Sequence, residues 1–172
     1  MTTTTRSTTL VREAHPGDYA RIGQLTVASY VDGGHLDAQD LYVHHLSEVA
    51  ERAQQARVLV AEVDGAVAGS VTVTEYDQPY AEVSRPGEME FRMLAVAPEH
   101  QGRGIARMLV RHIVAEAVSR PEVKAVSLCS LTSMTAAHAL YASEGFVRDP
   151  DRDFVLQIPG KHATFPFFRR EV

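Results

Sequence analysis

At 172 residues, 45% apolar and 23% charged, the chain is long enough to bury a core without disulfides or metals. A net charge of −5 excludes the strong positive field that nonspecific nucleic-acid binding needs. A single cysteine, Cys129, excludes an intrachain disulfide and a cysteine-based zinc site; with no membrane-length apolar run and no signal-type leader, this predicts a cytoplasmic protein that engages no membrane.

The threonine-rich start reads as a flexible tail over residues 1–8, and 9–172 as one domain. Thr9–Ala14 is a short strand. Pro16 and Asp18 then open a helix with Ile22, Leu25 and Ser29 at helical spacing, and Gly33–Gly34 ends it. "LDAQDLYVHHLSEVAERAQQA" predicts one second helix, with Leu41, Leu46, Val49 and Ala53 as its apolar stripe. Two β-branched runs joined by Asp64–Gly65 predict a hairpin. After a polar loop over 77–87 come the strand "EMEFRMLAV", a helix from "GRGIARMLVRHIVAEAVSR", the strand "VKAVSLCSL" and a short helix capped by Gly145. "FVRDPDRDFVLQI" and "ATFPFFRREV" are the last strands, with a turn at "PGKH". Helices between strands, led by an antiparallel hairpin, predict an α/β sheet of mixed direction covered by helices.

The segment with most chemical content is "QGRGIA", Gln101 to Ala106, between a strand and a helix. A helix N-terminus leaves backbone N–H groups without partners at the positive end of the macrodipole, which suits a phosphate. Gly102 and Gly104 let backbone approach a ligand, Arg103 adds a cation and Gln101 an amide. The dinucleotide fingerprint GxGxxG and the P-loop GK[ST] are both absent. Arg103, Arg107 and Arg111 share one helix face, with Arg103 and Arg107 near the expected phosphates and Arg111 in solvent. Ile105, Leu109, Ile113 and Ala117 form the core side.

These residues resemble the GNAT superfamily of N-acetyltransferases, whose pattern is a strand followed by [Q/R]-x-x-G-x-[G/A] opening a helix. "ALYASEGF", Ala139 to Phe146, is similar to a second family motif, and the element order matches over essentially the whole chain. The resemblance implies an α/β GNAT fold: a central mixed, mostly antiparallel sheet of six or seven strands, helices on both faces, splayed in the middle to admit acetyl-CoA. It implies acetyl transfer from acetyl-CoA to an amine of a small molecule, peptide or protein, without a metal. The pyrophosphate would lie on the amides of Gln101, Gly102, Arg103, Gly104, Ile105 and Ala106, and the pantetheine arm along Leu94, Ala95 and Val96. Glu90 falls where many members carry a general base. Even spacing puts it on one strand face with Arg92, Leu94 and Val96, and Glu88 is the runner-up; the competing role for Glu90 is a strand-surface ion pair. Tyr141 matches the family tyrosine that protonates the departing thiolate, or else is a core tyrosine. Met134 stands where members often carry an asparagine that holds the pantetheine arm.

By family analogy the acceptor pocket comes from the first-helix junction (Tyr30, Asp32, His35) and the polar loop (Tyr76, Gln78, Tyr80). Asp32, Asp37 and Asp40 lend the junction a negative lean suited to a cationic amine. Cys129 reads as a buried, inert thiol. His35, His44, His45 and Glu48 match no metal-ligand spacing. The aromatic run Phe165–Phe168 suggests core on one side and a homodimer contact on the other. A catalytically silent CoA-binding module and a different phosphate-ligand binder are the alternative readings.

Overall fold

A computed structural model describes residues 7–172. Residues 1–6 of the expected tail lie outside the described part. Ser7 and Thr8 are tied down: Ser7 Oγ and the Thr8 N–H each donate to the Asp64 carboxylate at 2.8 Å. Strand β1 (Thr9–Glu13) pairs antiparallel with β2 (Arg57–Val63), which turns into β3 (Ala66–Glu75). The turn residues Asp64 and Gly65 have φ of 50° and 83°, as a two-residue hairpin of primed type requires. β3 pairs with β4 (Glu88–Val96), and β4 runs parallel to β5 (Ala125–Cys129). The last strand, β9 (Phe167–Glu171), lies antiparallel between β5 and the two-residue β6 (Val147–Arg148). The seven-stranded order is β1-β2-β3-β4-β5-β9-β6, mixed because of the single parallel pair, and β7 (Phe154–Ile158) with β8 (Lys161–Phe165) forms a separate ribbon.

Helices cover both faces. Helix α1 (Tyr19–Val31) buries Ile22 and Leu25 against Val58, Val60 and Ala95. On the opposite face, α4 (Ile105–Ser119) and α5 (Thr135–Ser143) pack against Leu59, Val71 and Phe91. The expected α4 stripe, Ile105, Leu109, Ile113 and Ala117, is buried throughout. Each large aliphatic removed from water there contributes roughly 1.5–3 kcal/mol. Among the described residues no helix is long and apolar enough to cross a membrane.

Three expectations are corrected. The second helix is two, α2 (Leu41–Ser47) and α3 (Val49–Gln55), broken at Glu48 with ψ 60°. Asp40 caps α2 by accepting the Tyr42 N–H, which starts the helix five residues later than the apolar pattern suggested. At its other end the buried Arg52 donates to the His45 and Leu46 carbonyls, satisfying groups that a continuous helix would have used itself. Leu41, assigned to the stripe, is 89% exposed. The penultimate strand is interrupted by a 3-10 turn over Pro150–Arg152. Finally, the chain changes sheets at Pro166, so Phe165 faces Phe154 in the ribbon while Phe167 and Phe168 are both buried in the main sheet. The aromatic surface expected to make a dimer contact is therefore covered within the chain.

Candidate active site

The site is built by a defect in β4. Thr72 pairs with Arg92 and Ser70 with Ala95, so Met93 and Leu94 together stand opposite Val71. Met93 takes φ 55°, an uncommon conformation for a residue with a Cβ. This bulge resets the alternation of the strand. Phe91, Leu94 and Val96 pack into the α4 core, while Ala95 packs toward α1 and Met93 against Tyr30 and Leu46. The expectation that Glu90, Arg92, Leu94 and Val96 share one face is thus corrected: the bulge separates the first two from the last two.

The parallel β4–β5 ladder also stops at Glu90–Ser127, although β4 runs on to Val96. Beyond that point the strands diverge around a cavity of about 620 Å³. Its lining includes Leu94, Ala95 and Val96 on the strand, Gln101, Gly102, Gly104, Ile105, Ala106 and Arg107 at the start of α4, and Met134 and Tyr141 from the α5 side. Gly102 and Gly104 have φ of 74° and 77°, and a Cβ built on either meets no protein atom within 4 Å. The glycines are required by backbone conformation, and they leave open space in front of the turn. That geometry fits a phosphate held by turn and first-turn N–H groups. Arg103 is exposed and does not line the cavity. Arg107 lines it but is already paired with Glu144, as is Arg111, whose side chain lies 66% exposed on the solvated face where it was expected. The Arg111 and Arg107 hydrogen bonds hold the Glu144 carboxyl below its ordinary range.

Tyr141 is buried with its ring 5.8 Å from Phe91 and 5.7 Å from Phe168, at the point where the strands part. Burial pushes its phenol up, so it stays protonated at neutral pH. At the Met134 position the thioether sulfur lies 3.7 Å from Ser130 Oγ, and Ser133 Oγ lies 2.7 Å from His35 Nδ1.

The expected acceptor residues divide. Tyr30 and His35 line the cavity. Asp32 is exposed and outside it, and Asp40 is paired with Lys161. Tyr76 lines a separate shallow hollow, and Tyr80 stacks on His45 at 5.4 Å. His44 pairs with Glu48, His35 with Ser133, and His45 stacks on Tyr80, so these four side chains do not converge; among the described residues no group of three or more such side chains could hold a metal.

Neither strand glutamate reaches the cavity lining. Glu90 is fully buried, and its carboxylate accepts the N–H groups of Glu82, Val83 and Ser84 at 3.0–3.2 Å. It therefore clamps the loop before β4, which differs from both roles weighed for it. Glu88 sits between Arg152 (2.8 Å) and Arg169 (3.0 Å) and accepts the Arg85 N–H. Two further residues line the wall: Arg92, and Cys129, which was expected to be buried and is instead half-buried at the cavity. Arg92 donates to the Tyr80 carbonyl and to Glu82, and Cys129 lines the cavity with its sulfur 3.5 Å from Glu82 Oε1. Burial pushes the Cys129 thiol up, which keeps it protonated.

The family model of the acetyltransferase (GNAT) family matches residues 19–146. No curated protein matches the chain. Among solved structures, a GNAT-family acetyltransferase from Staphylococcus aureus Mu50 superposes with a TM-score of 0.70 at 10% identity, covering 95% of this chain and 99% of its own. Structure yncA from Salmonella typhimurium, solved with its cofactor acetyl-CoA, gives 0.68 at 20% identity, covering 95% and 94%. A ribosomal-protein-alanine N-acetyltransferase from Brucella melitensis gives 0.67 at 23% identity, covering 95% and 99%. These likenesses show a common fold, and the family match spans most of the sequence. With the splayed strands and the glycine turn that opens α4, they establish that the chain belongs to the acetyltransferase (GNAT) family.

Proposed function

We propose that the protein transfers an acetyl group from acetyl-CoA to a primary amine by direct attack within a ternary complex. The observation that carries this reading is the cavity at the β4–β5 divergence, with unpaired strand edge along one wall and the open glycine turn at one end. Bound acetyl-CoA supplies a thioester whose acyl carbon is activated toward amines. The backbone from Gln101 to Ala106 holds its pyrophosphate, and Leu94 to Val96 offer strand-type hydrogen bonds to the pantetheine arm. Tyr141 supplies the proton that the departing sulfur takes. Cys129 keeps its proton and so is a poor acyl carrier, which favours direct transfer over a covalent acetyl-enzyme.

The residues also bear on the acceptor. Among the described residues the lining carries two arginines, Arg92 and Arg107, and no Asp or Glu. The negative lean expected from Asp32, Asp37 and Asp40 does not reach it. This supports a monoamine, from a small molecule or a peptide, over a polyamine. The test is consumption of acetyl-CoA with an amine panel, together with thermal shifts by acetyl-CoA, CoA and ATP. Turnover with monoamines and a shift with the CoA species but not ATP are expected. A CoA shift without turnover of any amine leaves a CoA-binding module instead, and no CoA shift refutes the reading.

A further inference from the structure

Resting on the acetyl-transfer reading, we propose that Glu82, in the loop between β3 and β4 and directly behind the cavity wall, takes the acceptor's ammonium proton through one bridging water and carries it to solvent. The cavity takes no carboxylate of its own from β4. Glu90 is sealed and saturated by three backbone N–H groups, and Glu88 is held between two arginines. Glu82 is placed differently. Its Oε2 lies 3.0 Å from Arg92 Nη2 and its Oε1 3.5 Å from Cys129 Sγ, and both partners line the cavity wall. On its other side it lines the outer hollow with Tyr76, Asp77 and Gln78, and its side chain is 29% exposed. It backs the cavity wall through Arg92 and Cys129 and meets solvent on its other side, so a proton passed across that wall has an exit there. The charged and titratable groups facing it are Arg92 and Glu90 on β4 and Cys129 on β5, with Tyr42 of α2 beside Arg92.

Glu90 acts in this arrangement as a positioning residue, because the Glu82 N–H donates to it and fixes the loop. The step balances as follows. The alkylammonium gives one proton, through a bridging water, to the Glu82 carboxylate, which returns it to solvent through the hollow. The freed lone pair forms the C–N bond at the thioester carbon, and the C–S electron pair leaves on sulfur. Tyr141 protonates that sulfur, and its phenolate recovers the second proton from nitrogen. The products are the amide, the thiol and one proton in water.

The experiment compares the full chain with Glu82→Gln and Glu82→Asp, using butylamine and trifluoroethylamine as acceptors. Trifluoroethylamine is largely unprotonated at neutral pH and needs no base. General acid–base catalysis contributes about 10²–10⁴-fold, so Glu82→Gln should lose at least about 100-fold in kcat/KM with butylamine and under about 5-fold with trifluoroethylamine. Glu82→Asp should recover to within about 10-fold of wild type with butylamine. The glutamine keeps the backbone bond to Glu90, so CoA-induced thermal shifts should match wild type. Equal losses with both amines indicate a structural role and overturn the proposal, as does no loss. If the wild type binds CoA yet acetylates neither these two nor any other amine of the panel, the acetyltransferase reading falls, and this assignment with it.

Discussion

Replacing Gly104 by alanine tests whether the glycine turn exists for a ligand. Gly104 sits at φ 77°, where an L-residue costs roughly 1–2 kcal/mol. Alanine recovers about 0.4–1 kcal/mol through the unfolded chain, leaving a net loss of about 0–1.6 kcal/mol. At this chain length that lowers Tm by up to about 6 °C. No protein atom lies within 4 Å of the added methyl, so no steric clash inside the fold adds to this. Gly160, in the β7–β8 turn, is a matched control: its φ is 79°, its Cβ position is equally open, and it does not line the cavity. Gly104→Ala carries an extra cost of up to about 1 kcal/mol because glycine outranks alanine at a helix N-cap. That difference cancels when each variant is compared with itself, with and without ligand. Ligand at a hundred times its Kd stabilises by about 2.7 kcal/mol, or about 5–11 °C here. The assay is thermal melting at about 1 mM CoA, a concentration set to reach that saturation for a Kd near 10 μM. Gly160→Ala should keep the full CoA-induced rise, and Gly104→Ala should lose at least half of it. A full rise in both variants would refute the phosphate-cradle argument, because the open space before Gly104 would then belong to no ligand.

Two further outcomes follow from the packing. Tyr141→Phe keeps the ring against Phe91, Phe146 and Phe168, so Tm should move by less than about 3 °C, while kcat with an alkylamine falls about 100-fold and the CoA-induced shift persists. An unchanged kcat would leave Tyr141 as a core residue only. Arg152→Ala uncouples a buried pair, whose side chains are 9% and 6% exposed, and also removes a guanidinium 4.0 Å from the Phe167 ring centroid. The loss should be about 3 kcal/mol, or 6–12 °C in Tm. Burial alone would raise the Glu88 carboxyl, but hydrogen bonds from Arg152, the Arg85 N–H and Arg169 outweigh it and hold it below its ordinary 4.5. A depressed carboxyl gives stability that is present above the unfolded value and is lost as pH falls through the folded one. Melting from pH 6 down to pH 3 should therefore show a shallower acid-side slope in Arg152→Ala than in wild type; parallel slopes would mean the pair is not what depresses Glu88.

How far the sequence could be read depended on whether a feature was local. The Asp64–Gly65 turn, the α4 stripe and the two glycines before α4 are each decided within a few residues, and each stands where the sequence put it. Pro166 was a local signal too: a proline between aromatic residues marks the end of a ladder, and the chain changes sheets there. The break at Glu48 was less visible, because its cause is a buried guanidinium from the next helix capping the last one. The β4 bulge was not visible at all. Met93 is neither glycine nor proline, and nothing around it in sequence announces a positive φ. Yet that residue decides which side chains face the cavity, since a single extra residue inverts every later position. Strand parity therefore carried no information about Leu94 and Val96 once it had been counted from Glu90. The same holds for the cavity wall at Arg92 and Cys129. The loop over 77–87 closes on Glu90 through three backbone N–H groups, and only after it closes does Glu82 meet Arg92 and Cys129. A contact made by backbone donors from a returning loop leaves no periodic trace, so the side chains nearest the expected chemistry are the ones a linear reading locates last.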